Sequence, residues 1–499
     1  MEFKKLYLAM SFALLSSYSS ANGLTNLTDK ELSEQTGQAL FNLSYIAPTD
    51  SSNLMNGKTI GGNSAGAIGF YKLGMEADID LNTNIRSLQL GCGGVNGPGA
   101  CDIEINNLAL SALPDGYDSS TGTSPNFGST QRASTSAKLV NPFIEFAIKN
   151  PNTASTREFV GVRLSAEKIF GLLTLGTDNS ANPTTDGLQT LSGFMRLAST
   201  SGSVNTKETL FGNTADQILG AVDGRTDPNM IVNLLGQQKR IFTSNPGAAG
   251  NDGISIPSMK NIGFTMPAAQ VNGVRSTSAN VSGIKVKINE IPMGKVTGAD
   301  GNFTSDGAKN QLYVTYDPIL LVAKDAKFIM ADGSNVTNLN LDVTFQQALS
   351  MIHNIPLTGN GGYLSLQNQK LLWPGAYTTE NAGVNELNSM TKSDVAQPGW
   401  WMSFADPVQL GKLNGTSDVD ISAALPQVAY LVSKYLQDNP VQVDAGEGIG
   451  ALFGTPITKL LNIDLNAYTT ANPVKVTLQN LQLANQGVTP NCYGSLKFC

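Results

Sequence analysis

A short alternating pattern that keeps returning narrows the fold more than any other feature. Asp78-Ile-Asp-Leu-Asn82, Asp102-Ile-Glu-Ile-Asn106, Asn338-Leu-Asn-Leu-Asp342 and Asn462-Ile-Asp-Leu-Asn466 share it, and Asp418-Val-Asp-Ile-Ser422 is close. Alternate side chains of a strand point to opposite faces, so each copy predicts Ile, Leu or Val on a core and carboxylates or amides in water. The intervals between copies are irregular, which excludes a fixed-period solenoid. The expected class is mainly β: large antiparallel sheets, as a sandwich or a curved sheet, with one wet face and a few short packing helices. Further alternating runs fit, at Ile144/Phe146/Ile148, Val160/Val162/Leu164, Ile284/Val286/Ile288 and Val474/Val476/Leu478. Composition agrees, because charged residues are 14% against a usual share of about 25%, and 51 glycines with abundant Ser, Thr and Asn supply turn chemistry.

Charge and cysteine usage speak to environment. With 32 basic and 39 acidic residues the chain carries −7, so nothing in it favours nucleic acid as a partner. Residues 1–21 read as a secretory signal: Lys4 and Lys5, an apolar run from Leu6 to Leu15, then Ser19-Ser20-Ala21. That run is too short for a transmembrane helix, which needs about 20 apolar residues, and no span is expected later in the chain. Cys92 and Cys101 enclose a glycine-rich loop, and Cys492 and Cys499 enclose a second short loop. Four cysteines allow three pairings; the two local ones are the economical choice, and neither spacing suits a metal. Disulfides imply an oxidising compartment, and with the signal they predict an exported protein.

Several local elements follow. Thr28 with Glu31 makes a capping box for a short leading helix that Gly37 ends, and Phe41, Leu43 and Tyr45 then alternate as a strand. Helical spacing is expected at Phe345/Ala348/Leu349/Ile352 and at Val428/Leu431/Val432/Tyr435. Asp115–Ser136 and Ser244–Gly253 read as loops. The second suggests β-rich units at 22–250 and 251–499, or else a long hairpin loop within one extended sheet.

No pattern commits the chain to catalysis, a metal or a cofactor. Gly62-Asn-Ser64-Ala-Gly66 has the G-x-S-x-G spacing of a nucleophile elbow, but a strand pattern follows it rather than a helix, so a glycine-rich loop is expected. His353, the single histidine, is expected to be structural, at the end of the helix predicted over 345–352. Asp300-Gly-Asn302-Phe-Thr304-Ser-Asp306 lacks the glycine and terminal Glu of a calcium loop and reads as an Asx turn. The rows Asp78/Asp80 and Asp418/Asp420 read as solvated strand faces. Trp400 and Trp401 are the densest aromatic spot, one predicted to anchor in the core and the other to face a glycan or partner.

Three segments together, Leu24–Phe41 (LTNLTDKELSEQTGQALF), Gly91–Asn106 (GCGGVNGPGACDIEIN) and Arg157–Lys168 (REFVGVRLSAEK), resemble the Fil group of exported pilus-assembly proteins of Gram-negative bacteria. The resemblance implies a non-catalytic protein of the periplasm, outer surface or fimbrium, whose partners are other pilus or surface proteins. Strand-edge pairing through Phe41, Leu43 and Tyr45 is the contact mode expected, since β-augmentation requires alternation. The competing expectation is a secreted or periplasmic module that binds lipid or glycan on the apolar concave face of a curved sheet.

Overall fold

The computed structural model describes residues 41–491 except 130, 181–184, 212–220, 223–224, 227–229, 235–236, 243–253, 301, 306–310, 316–324, 360, 405 and 440. The predicted signal sequence, the leading helix, the loop Ser244–Gly253, Cys492 and Cys499 lie outside the described residues.

Two of the sheets carry the features described below, beside a six-stranded sheet built from Val441–Val443, Met230–Leu234, Gln237–Phe242, Gln311–Thr315, Asp325–Met330 and Ile457–Lys459. The strands of those two, in chain order, are β1 (Phe41–Ile46), β2 (Ile68–Met75), β3 (Asp78–Leu81), β4 (Thr83–Leu90), β5 (Ile103–Ser111), β6 (Ala137–Lys149), β7 (Glu158–Leu175), β8 (Gly187–Leu197), β9 (Ala269–Ser276), β10 (Ser278–Pro292), β11 (Asn335–Ala348), β12 (Asn354–Thr358), β13 (Gly362–Gln367), β14 (Gly399–Phe404), β15 (Asn462–Asp464) and β16 (Val474–Gln479). Sheet I has twelve strands in the order β1-β2-β6-β7-β13-β14-β8-β5-β4, with β3 on β6, β12 on β7 and β9 on β8. A further β7–β5 pairing closes β7, β13, β14, β8 and β5 into a ring. Sheet II has four strands, β10-β11-β15 with β16 also on β11. The architecture is mainly β, as predicted. The sheets are mixed, because β8–β14, β11–β15 and β11–β16 are parallel. Strands from both sides of residues 244–253 share sheet I, through β8–β9, β7–β12 and β7–β13.

Helix α1 (Leu425–Asp438) forms where predicted, with Pro426 in its first turn and Asn439 closing it. Leu425, Val428, Ala429, Val432 and Leu436 are its buried stripe. Helix α2 (Ala445–Leu452) starts on a capping box between Asp444 and Glu447. The helix expected over 345–352 is absent. There β11 continues to Ala348, with Phe345 paired to both Val281 and Leu478, and a 3-10 turn covers Leu349–Met351. Ladder bonds on both edges of β11 outweigh the local helical spacing.

Three of the alternating segments also depart from expectation. Ile79 and Leu81 face outward, and the Asp102 carboxylate is buried. Asp102 accepts Asn96 Nδ2 at 2.9 Å, Arg275 Nε at 3.2 Å and the Trp400 amide at 3.1 Å. It thereby ties the loop closed by the Cys92–Cys101 disulfide to β9 and β14. Asp418–Ser422 contributes a single bridge, Thr206 to Val419, rather than a strand. The loop Asp115–Ser136 carries two 3-10 turns and is pinned by Arg132. This buried guanidinium donates to Ser111 Oγ, Thr174 Oγ1 and the Thr489 carbonyl at 2.8, 2.9 and 2.7 Å, and burial lowers its pKa to about 10.

One core lies under β2, β6, β7 and β14, where Phe70 and Trp373 sit 5.6 Å apart and Trp401 is fully buried. Within it Glu145 and Arg163 form a close ion pair at 2.5 Å. The rings of Phe143, Tyr363 and Trp373 stand 5.3 to 5.5 Å from the Arg163 guanidinium. Burial pushes the Glu145 carboxyl up while Arg163 pulls it down. Removing one member strands the other charge away from water. Glu145→Ala is therefore expected to cost about 3–5 kcal/mol in urea unfolding; a change under about 1 kcal/mol would show that Arg163 had found water.

Candidate functional site

The strands that cover the Trp373 core on one side expose an apolar face on the other. Register places Leu43, Leu73, Ile144, Leu164, Leu364 and Met402 in one row across β1, β2, β6, β7, β13 and β14. A second row runs Tyr45, Tyr71, Phe146, Val162, Leu366 and Trp400 across the same strands. Six strands at about 4.8 Å spacing make each row roughly 24 Å long. Many of these side chains are exposed, Leu43 most of all at 73%. Isolated exposed apolar residues are ordinary, but a contiguous field of them marks an interaction surface.

The chain bends this face into a trough. Between Val140 and Pro142 of β6 the ladder to β7 is interrupted, and Asn141 sits at φ 49° with its amide turned to the Ala77 carbonyl. Asn tolerates that left-handed geometry better than other non-glycine residues, because its short side chain bonds locally. Here Asn141 Nδ2 donates to Glu167 at 2.9 Å, and that bond, with Lys72, holds the Glu167 carboxyl below its usual range. The bend brings Leu139 and Ile169 into the same trough as Ile144 and Leu164, enclosing about 530 Å³.

At one end of the rows stands β1, the edge strand of sheet I, paired with β2 alone among the described residues. Phe41, Leu43 and Tyr45 all stand exposed on it, at 55%, 73% and 42%, and Tyr45 stacks on Tyr71 at 4.4 Å. Edges this apolar are normally blunted by charge or cover.

The other predicted site residues scatter. Trp401 does not face a partner: its indole is fully buried and donates to Asp394 at 3.0 Å, beside Tyr363 and Ser403, which bond the same carboxylate. Trp400 is half-buried against the core between the two sheets. Asp394 is pushed up by burial, against the pull of those three donors. His353 is buried beside the first residue of β12 rather than at a helix end, with Nδ1 on the Leu175 carbonyl at 2.6 Å. Ser64 lies in a two-residue hairpin strand opposite Thr59, and its hydroxyl accepts the Gly66 amide. Asp300 accepts the Asn302 amide as an Asx turn does. No cluster of metal-ligating side chains occurs among the described residues, nor does a helix long and apolar enough to cross a membrane.

Sequence reading located β1 but missed that Ile144, Phe146 and Leu164 face outward. Their signal was present: β6 and β7 are apolar at positions of both parities, as a strand must be when both its faces are apolar. No family model, curated protein or solved structure matches this chain.

The loop with the nucleophile-elbow spacing is held by a carboxylate, not used by one. Glu386 accepts the Gly61 and Gly62 amides at 2.9 and 3.0 Å and the Thr59 hydroxyl at 2.9 Å. These bonds, the Gly62 amide foremost, lower the Glu386 pKa from 4.5 to about 2. A lowered folded pKa means the clamp is complete above about pH 4.5 and lost as pH falls toward 2. The Gly61 and Gly62 amide resonances should therefore titrate with a midpoint near 2 and stay fixed in Glu386→Gln; a midpoint near 4.5 would mean the clamp is absent.

Proposed function

We propose that this chain is an exported, non-enzymatic assembly protein of a bacterial surface appendage, and that it works by accepting an extended strand of a partner along β1. One observation carries the reading: the edge of β1, unpaired among the described residues, and the apolar rows meet at Phe41, Leu43 and Tyr45. A strand laid against that edge satisfies its free amides and carbonyls. Its alternate side chains then lengthen the two rows by one position each, removing apolar surface from water at about 25 cal/mol per Å². Backbone bonds supply affinity and the side chains supply register.

Other features support the same reading. The Cys92–Cys101 disulfide fits an oxidising compartment, and the resemblance to the Fil group points to pilus assembly. The buried positions of His353 and Trp401, and the clamped loop around Ser64, favour a structural role for the residues most open to a catalytic reading.

The test is to delete the protein in its native host, restore it with either the natural chain or Phe41→Lys/Leu43→Lys, and image the surface fibres. Both changes fall on exposed positions, so folding stability should stay within about 0.5 kcal/mol. The natural chain should restore fibres and the double variant should not. Unaltered fibres in the deletion strain, or full restoration by the variant, would overturn the reading.

A further inference from the structure

Between sheet II and helix α1 lies a partly open space, separate from the trough, with about 90 Å³ free to the centre of a water molecule. Its wall is apolar except for Thr206, whose hydroxyl already accepts the Met259 amide at 3.0 Å. The floor is the inward face of β10 from Ile284 to Ile291 and of β11 from Val336 to Phe345, and Val428 and Val432 of α1 lie across it.

Ile284 to Ile291 covers about 23 Å of strand at roughly 3.3 Å per residue. A bore of that length with this free volume has a radius of about 2.5 Å once the water radius of about 1.4 Å is added. Such a bore has the girth of a stretched polymethylene chain. Water is a poor occupant, since a buried water needs two to four polar partners and the wall offers almost none. A core otherwise packed at crystal density does not keep a slender void of this length without cost.

We propose that this cavity is a binding site for a single alkyl chain, as carried by a fatty acid or a phospholipid. The headgroup stays outside, because no charged side chain lines the space. Methylene groups would lie along the alternating Ile, Val and Leu side chains of β10 and β11, and α1 would close over them.

Native mass spectrometry tests the proposal on the full chain, incubated with palmitate in one arm and with phosphatidylethanolamine vesicles in the other. A one-to-one adduct is expected, and its mass identifies free acid or phospholipid as the source. Val286→Phe fills the middle of the bore and should abolish the adduct, whereas Ile144→Ser on the open trough should leave it intact. Should Val286→Phe fail to fold, Ala424→Leu narrows the same space from the roof and should likewise remove the adduct. Absence of an adduct in both arms, survival of the adduct in a folded filled variant, or its loss in Ile144→Ser would overturn the assignment.

Discussion

A strand that buries every second side chain must present the remainder somewhere else, and that constraint governs this molecule. In β2, β6, β7, β13 and β14 one set of side chains builds the core around Phe70, Trp373 and Trp401, with Glu145 and Arg163 locked inside it. The other set has no such layer over it on β2 and β6 and becomes the open trough, while Leu364, Trp400 and Met402 of β13 and β14 pack against the second core. The two faces are coupled by register, because a slip of one residue would drive Glu145 into the trough and Ile144 into the core. A buried ion pair contributes little net stability, but it makes the wrong register very costly. The exposed face therefore keeps its order from the buried one.

Much of the architecture was legible in the alternation. The strands around Ile103 and Ile105, around Leu339 and around Ile463 put their apolar residues inside as the pattern demands. The capped stripe of α1 could likewise be read from its spacing. What failed did so for tertiary reasons. Phe345, Ala348, Leu349 and Ile352 have helical spacing, yet β10 and β16 flank β11 and claim both its edges. Asp102 looks like a solvent-facing carboxylate until the disulfide loop, Arg275 and the Trp400 amide converge on it from distant parts of the chain. No local window contains all of these.

The candidate site was half legible. Phe41, Leu43 and Tyr45 announced a strand, but a sequence cannot say that the strand ends a sheet. The Asn141 kink that folds the trough depends on one residue in left-handed geometry, a conformation that Asn permits without demanding it. Trp401 is the member of the aromatic pair that anchors in the core, where the Asp394 carboxylate beneath holds its indole inward, and Trp400 is half-buried rather than displayed.

The ring of strands carries a consequence for the order of synthesis. β5 and β7 are made early, but the ring that contains them waits for β13 and β14, which lie about half a chain later in the sequence. Contacts so distant in sequence are slow to form and leave apolar strands unshielded meanwhile. The N-terminal half therefore stays incompletely paired until the strands of the C-terminal half join it.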